Sequence, residues 1–288
     1  MEIIHIQNSE EFAKKLGEKL TLSVFPSNVR KFACGELCVS LPKPFYEAVV
    51  VASTVTNDDW IELFLLLDAL RDAHRIILYM PYMGYARQDK KHLNEAQSAK
   101  LFARFIDTFN IAECVLTDCH SEPPFHTPII HTSATELFAK EIAKKYSPEE
   151  IAIVSPDVGG AYRAEQVAKA LDVSPIICSK KRSLFGKPIS VEVTGDVKNK
   201  ICILIDDIVD SGATLCHATD ALLDCGCKDV VAYVTHGVLS DGAVECLEKS
   251  RLSRIILTDS IRLKDKLSAK FERISIVSLI AETIRCIL

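Results

Sequence analysis

The sequence predicts an α/β protein built on mainly parallel sheets, and three observations carry that prediction. Short apolar runs rich in β-branched residues recur at 48–52, 76–80, 114–117, 151–154, 201–205, 230–234 and 255–258. They lack the polar alternation of a half-exposed strand, which is the pattern of strands covered on both faces. Between them, segments 60–73, 96–109, 135–146, 160–171, 214–225 and 241–249 space apolar residues three and four apart, as in Phe102, Phe105, Ile106 and Phe109. Strand and helix alternate, so the connections are right-handed crossovers.

The chain has 288 residues, about twice the roughly 150 of one domain, which favours two units. A polar stretch at 144–150 marks the best boundary and gives an N-terminal domain 1–146 and a C-terminal domain 147–288. A second break at 179–188 holds Lys180, Lys181, Arg182, Gly186 and Lys187, and reads as a mobile basic loop. Hydrophobic residues make up 48% and charged residues 25%, enough apolar material to bury a full core. The net charge of −5 excludes a general nucleic-acid or membrane-surface binder. No apolar run approaches the ~20 residues that a bilayer requires, and residues 1–11 lack a secretory pattern, so a soluble cytoplasmic protein is expected. Eleven scattered cysteines fit a reducing compartment. The pairs Cys34/Cys38 and Cys225/Cys227 have no second half at zinc-site spacing.

Segment 203–215, ILIDDIVDSGATL, is the most specific. A buried strand is expected to end in Asp206 and Asp207, and Asp210, Ser211, Gly212, Ala213 and Thr214 then lead into a helix. Such a turn presents free N–H groups and the positive end of the helix dipole, a setting for phosphate. The two carboxylates repel phosphate, so they accept hydrogen bonds from sugar hydroxyls or face a metal. The segment thus suggests a phosphorylated sugar. A simple N-cap would explain Asp210 or Ser211 but not the acidic pair.

Three further places carry candidate chemistry. Tyr82 to Tyr85 form an aromatic turn that ends in Arg87, Gln88 and Asp89, a loop able to grip a nucleotide, with Arg87 taking phosphate oxygens bidentately; an exposed salt-bridged loop is the plainer alternative. No P-loop or dinucleotide glycine motif is present. His120 and Asp157 each follow an expected strand, and carboxyl ends of strands are where open α/β sheets place their sites.

Segment 206–214 resembles the phosphoribosyl-diphosphate motif of the phosphoribosyltransferase-like fold. TNDDWIEL (56–63), PYMGYARQD (81–89), TDCHS (117–121), SPDVGGAYRA (155–164) and THGVLS (235–240) narrow the resemblance to the ribose-phosphate diphosphokinase family, over nearly the whole chain. The resemblance implies two phosphoribosyltransferase-like domains and Mg²⁺-dependent transfer of diphosphate from ATP to ribose 5-phosphate. It implies that Arg87, Gln88 and Asp89 bind ATP and that Asp206, Asp207 and residues 210–214 bind ribose phosphate. It further implies that His120 and Asp157 help hold Mg²⁺ and that Lys180 and Arg182 are catalytic cations on a flexible loop. Phe32-Ala33-Cys34-Gly35-Glu36 is similar to the family segment that reaches adenine in a neighbouring subunit, so Phe32 and Glu36 are expected at ATP and a homo-oligomer is implied. No nucleic acid or membrane partner is implied.

The chain departs from the family pattern in four places. Cys34 replaces an Asp or Asn, Pro123 stands where a glutamine is usual, the phosphate-loop glycine comes one position early, and Tyr162 replaces a Lys. An inactive associated subunit is the runner-up, and a phosphoribosyltransferase ranks lower because it has no use for the 87–89 loop.

Overall fold

Apolar strands covered on both faces build two sheets in this computed structural model, which describes every residue except 91–92, 123, 183–187 and 264–266. The chain forms two compact units. The first comprises Met1–Thr132, Asp259–Arg262 and Ser275–Leu288, and the second Ser133–Thr258 and Leu263–Ile274.

The first unit runs β1 (Glu2–His5), α1 (Glu10–Leu20), β2 (Val24–Pro26), β3 (Asn28–Lys31), β4 (Leu37–Ser40), β5 (Glu47–Val51), α2 (Asn57–Ala69), β6 (Arg75–Met80), α3 (Ser98–Ile106), β7 (Glu113–Thr117) and β8 (Ile129–Thr132). Its sheet has the order β2-β1-β5-β6-β7-β8, and each neighbouring pair is parallel. Val49, Val50, Ile77, Leu78 and Val115 are fully buried, which explains why their strands show no polar alternation. Helix α2 begins three residues before the apolar pattern does because Thr56 and Asp59 form a capping box, with bonds of 2.6 and 3.2 Å. β3 and β4 form a separate antiparallel hairpin.

The second unit runs α4 (Thr135–Ala143), β9 (Ile151–Ser155), α5 (Ala161–Ala170), β10 (Ile176–Arg182), β11 (Pro188–Thr194), β12 (Ile201–Val209), α6 (Ala213–Asp224), β13 (Asp229–Gly237), α7 (Ala243–Lys249), β14 (Arg254–Thr258) and β15 (Phe271–Ile274). Its sheet order is β11-β10-β9-β12-β13-β14-β15. Among the described residues of this sheet, the β10–β11 pairing is antiparallel and the others are parallel. A last helix, α8 (Val277–Arg285), belongs to the first unit.

The structure corrects three expectations. The units are not separated by one cut at 146/147: α4 packs on α5, and α8 returns to pack on α1. A linear scan cannot see either exchange, because only the buried faces of these helices decide their partners. The acidic pair does not end its strand, since β12 continues to Val209, paired with Gly237. The basic segment 180–182 is not loop but the end of β10, where Lys180 pairs with Val191 in β11. The expected loop residues Gly186 and Lys187 lie outside the described residues. All eleven cysteines are free, and among the described residues no helix is long and apolar enough to cross a membrane.

Phe138 of α4 is 1% exposed and stacks edge-on against Tyr233 of β13, with ring centroids 5.6 Å apart. Phe138→Ala is expected to cost about 3–5 kcal/mol. Hydrogen exchange should accelerate in α4, α5 and β13 while β5 and β6 stay protected. Faster exchange confined to the first unit would contradict the placement of α4.

Candidate active site

The 210–214 loop is shaped by one glycine. Gly212 caps α6 in the left-handed region, at φ 80°. A Cβ there would stand 2.7 Å from Cγ of the buried Leu247 on α7. Both backbone strain and contact with α7 therefore require glycine. Ser211 Oγ accepts the Ala213 N–H at 3.4 Å, and Asp210 O accepts the Ser240 N–H at 3.2 Å, which anchors the turn to the segment after β13. Ser211 and Ala213 are exposed and Thr214 is half-buried. The first N–H groups of α6 thus face a site that can take an anion.

Two adjacent carboxylates, Asp206 and Asp207, lie behind that loop, and Asp157 is near enough to act on the charge of Asp206. Asp207 is 4% exposed, and its Oδ2 accepts from Arg163 Nη2 of α5 at 3.0 Å. Asp206 Oδ1 accepts the Asp207 N–H at 2.9 Å. Burial, then the neighbouring charges of Asp207 and Asp157, push the Asp206 pKa well above the carboxylate range. Asp157 lies in the turn before α5, where its Oδ1 accepts the Gly160 N–H at 3.1 Å. A Cβ on Gly160 would come within 2.9 Å of Ser155 Oγ and 3.8 Å of Asp206 Oδ1, so this glycine keeps the acidic corner open. Such a corner concentrates negative charge against the Arg163 guanidinium, and suits sugar hydroxyls or a divalent cation. Sequence reasoning overlooked Arg163. Its signal is its place one helical turn beyond Gly160, on the side of α5 that faces β12.

In the first unit, the loop after β6 carries Arg87, Gln88 and Asp89. A Cβ on Gly84 would stand 2.1 Å from Thr54 O, so the loop lies directly on the end of β5. Thr54 Oγ1 accepts the Gly84 N–H at 3.0 Å, and the Thr54 N–H donates to Tyr82 O at 2.9 Å. Tyr85, at φ 65°, stacks on Phe102 of α3 at 4.4 Å and donates to Asn57 Oδ1. Arg87 and Gln88 emerge exposed, and Gln88 Oε1 accepts from Ser98 Oγ at 2.7 Å. Asp89 is half-buried and its carbonyl accepts from Gln97 Nε2 at 3.1 Å. His120 is exposed after β7, just past Asp118 at φ 38°. Ser121 Oγ donates to Ala86 O at 2.9 Å, which fastens the segment of His120 beside Arg87.

The β3–β4 hairpin projects Phe32 and Glu36 at its tip. Gly35, at φ 98°, makes the turn, and the Phe32 N–H donates to Glu36 O at 2.8 Å. Phe32 is 41% exposed, with the Arg30 guanidinium 4.6 Å from its ring centroid. Cys34 is exposed beside it. The base of the hairpin is pinned by the buried Glu62 of α2, which accepts from Ser27 Oγ at 2.5 Å and the Gln7 N–H at 2.8 Å. Burial raises the Glu62 pKa above its ordinary 4.5. Lys180 and Arg182 have their backbone on β10; their side chains, like Pro123, lie outside what is described.

Two groups of candidate residues result, each within its own unit: Asp157, Asp206, Asp207 and residues 210–214 in the second, and Arg87, Gln88, Asp89 and the His120 segment in the first. Known proteins match this chain over nearly its whole length. The family described as N-terminal domain of ribose phosphate pyrophosphokinase matches residues 1–109, and the phosphoribosyl synthetase-associated domain matches residues 128–288. A ribose-phosphate pyrophosphokinase of Granulibacter bethesdensis is 37% identical, with 99% of this chain and 96% of that protein covered. The chain belongs to the ribose-phosphate pyrophosphokinase family. A Rhizobium meliloti pyrophosphokinase is 38% identical over 91% of this chain and 88% of its own. The solved phosphoribosylpyrophosphate synthetase from Mycobacterium smegmatis superposes with a TM-score of 0.90 at 32% identity, over 100% of this chain and 99% of that one. Membership in the pyrophosphokinase family and an α/β fold with mainly parallel sheets agree with the sequence reading.

Gly212→Ala should destabilise the protein by about 2–4 kcal/mol, from the left-handed backbone and the overlap with Leu247. In denaturant melts, the double variant Gly212→Ala/Leu247→Ala should lose less stability than the two single losses combined, because the smaller side chain removes the overlap. Additive losses would show that Leu247 does not set the constraint.

Proposed function

We propose that this pyrophosphokinase-family chain is an enzyme that transfers the β,γ-diphosphoryl group of ATP to the anomeric hydroxyl of ribose 5-phosphate, giving phosphoribosyl diphosphate and AMP. The observation that carries this reading is the presence in one chain of the acidic, Gly212-capped phosphate loop and the Arg87-Gln88-Asp89 loop fastened on Thr54. A phosphoribosyltransferase has use for the first and none for the second.

The sugar phosphate occupies the N–H groups of residues 211–214, with its ribose hydroxyls turned to Asp206 and Asp207. Arg163 holds the Asp207 carboxylate in position for that contact. Arg87 grips ATP phosphates, and Gln88 and Asp89 orient the nucleotide. Phe32 and Glu36 serve the adenine of a neighbouring copy, so the working state is a homo-oligomer. The Cys34 thiol offers that adenine a weaker hydrogen bond than the usual Asp or Asn.

Mg²⁺ fits the acidic corner, because a desolvated carboxylate beside two others is relieved by a divalent charge. Among the described residues no three His, Cys, Asp or Glu side chains gather into a cage, and magnesium ordinarily keeps waters and phosphate oxygens in its shell. Asp157 would hold it on the sugar side and His120 on the ATP side; when bound, it neutralises phosphate charge. The transfer is in-line and uses no covalent enzyme intermediate. Lys180 and Arg182 stabilise the charge on the diphosphoryl group as it moves between oxygens.

Purified protein with ATP, ribose 5-phosphate and Mg²⁺ should yield AMP and phosphoribosyl diphosphate in equal amounts by chromatography; ADP, or no product, would overturn the reading. Lys180→Ala is expected to lower kcat about 10²–10³-fold with KM for ATP nearly unchanged. A matching rise in KM would assign Lys180 to binding instead.

A further inference from the structure

Two of the eleven free cysteines meet at the base of the phosphate loop. Cys216 of α6 and Cys246 of α7 hold their sulfurs 3.6 Å apart. Cys216 is half-buried and Cys246 is exposed. Each sits next to a group that shapes the loop. The Cys216 N–H donates to Gly212 O at 3.0 Å, closing the first turn of α6. Leu247, which follows Cys246, fills the space under Gly212. The far end of α7 is tied down, because Lys270 Nζ donates to Leu247 O at 2.6 Å and to Ser250 O at 3.0 Å. The transfer reaction has no use for either thiol.

We propose that Cys216 and Cys246 are a reversible oxidation site, which a peroxide closes to a disulfide and which thereby weakens binding of sugar phosphate by the 210–214 loop. The exposed Cys246 thiolate attacks the peroxide O–O bond, becomes a sulfenic acid and releases hydroxide. The Cys216 sulfur then displaces the sulfenic oxygen as water and forms the S–S bond. Overall, two thiols lose two protons and two electrons, and one peroxide becomes two waters. The sulfurs must approach by about 1.5 Å to bond. With α7 anchored at its C-terminal end by Lys270, that approach shifts Cys246 and Leu247 against Gly212, the residue with no room to yield. A thiol returns the pair to its open form by exchange.

The consequence for ligand binding rests on the function proposed above, whereas the bond itself does not. The test uses the full-length protein, reduced and then treated with hydrogen peroxide, with peptide mapping by mass spectrometry under non-reducing conditions. The 216 and 246 peptides should appear linked, and dithiothreitol should separate them. Calorimetric titration with ribose 5-phosphate should show at least a fivefold weaker Kd in the oxidised form, restored by reduction. Cys246→Ser should bind like the reduced protein before and after peroxide, and Cys286→Ser should respond like wild type. Absence of the linked peptides, an unchanged Kd in the linked protein, or an equal peroxide effect in Cys246→Ser would overturn the proposal. If the reduced protein does not bind ribose 5-phosphate at all, the functional reading fails, and the peptide map still decides the oxidation site.

Discussion

Burial of parallel strands on both faces is the constraint from which the rest of this molecule follows. A parallel strand must be reached by a crossover, so every connection of one kind leaves the sheet at the same edge. In the first unit that edge receives the capping box of α2, the Arg87 loop and the His120 segment. In the second it receives the Asp157 turn and the Gly212 loop. The polar chemistry is thereby gathered without any single stretch of sequence containing it. The apolar runs supply the driving force: strand residues such as Val50, Leu78, Ile203, Leu204 and Val231 are completely excluded from solvent.

Within each edge, close backbone approach does the fine positioning. Gly84 lies against Thr54 O, Gly160 against Ser155 and Gly212 against Leu247. These contacts leave no room for a Cβ, so the loops they belong to are held by packing as well as hydrogen bonds. The same tightness couples the 210–214 loop to α7 behind it. α7 is a short helix whose end is fixed by Lys270 and whose Leu247 carries the load of Gly212, so a covalent change at Cys246 is transmitted over one residue.

Charge is handled locally. The net charge of −5 provides no general attraction for anionic substrates. The second unit instead pairs the buried Asp207 with Arg163 and leaves Asp206 with a raised pKa beside Asp157. The acidic residues and the start of α6 thus lie on one segment, Asp206 to Thr214, of opposite electrostatic character at its two ends. In the first unit, the buried Glu62 fixes the start of the β3–β4 hairpin through Ser27, and so holds an exposed aromatic tip on a firm base.

The sequence alone determined the α/β class, the seven apolar strand runs and the Asp206 to Thr214 motif, because these depend on local composition: β-branched runs fix covered strands, and a glycine after Asp-Ser fixes a turn at a helix start. The long-range pairings were decided only by tertiary structure. Strand β12 extends past the acidic pair because β13 supplies hydrogen bonds as far as Gly237. The basic segment 180–182 is strand because β11 folds back on it. Arg163 meets Asp207 because α5 packs against β12, and the short edge strands β2, β8 and β15 are too brief to carry a pattern. Helices α4 and α8 each join the unit on the other side of the expected boundary, since an amphipathic helix encodes that it has a face to bury but not which surface will bury it.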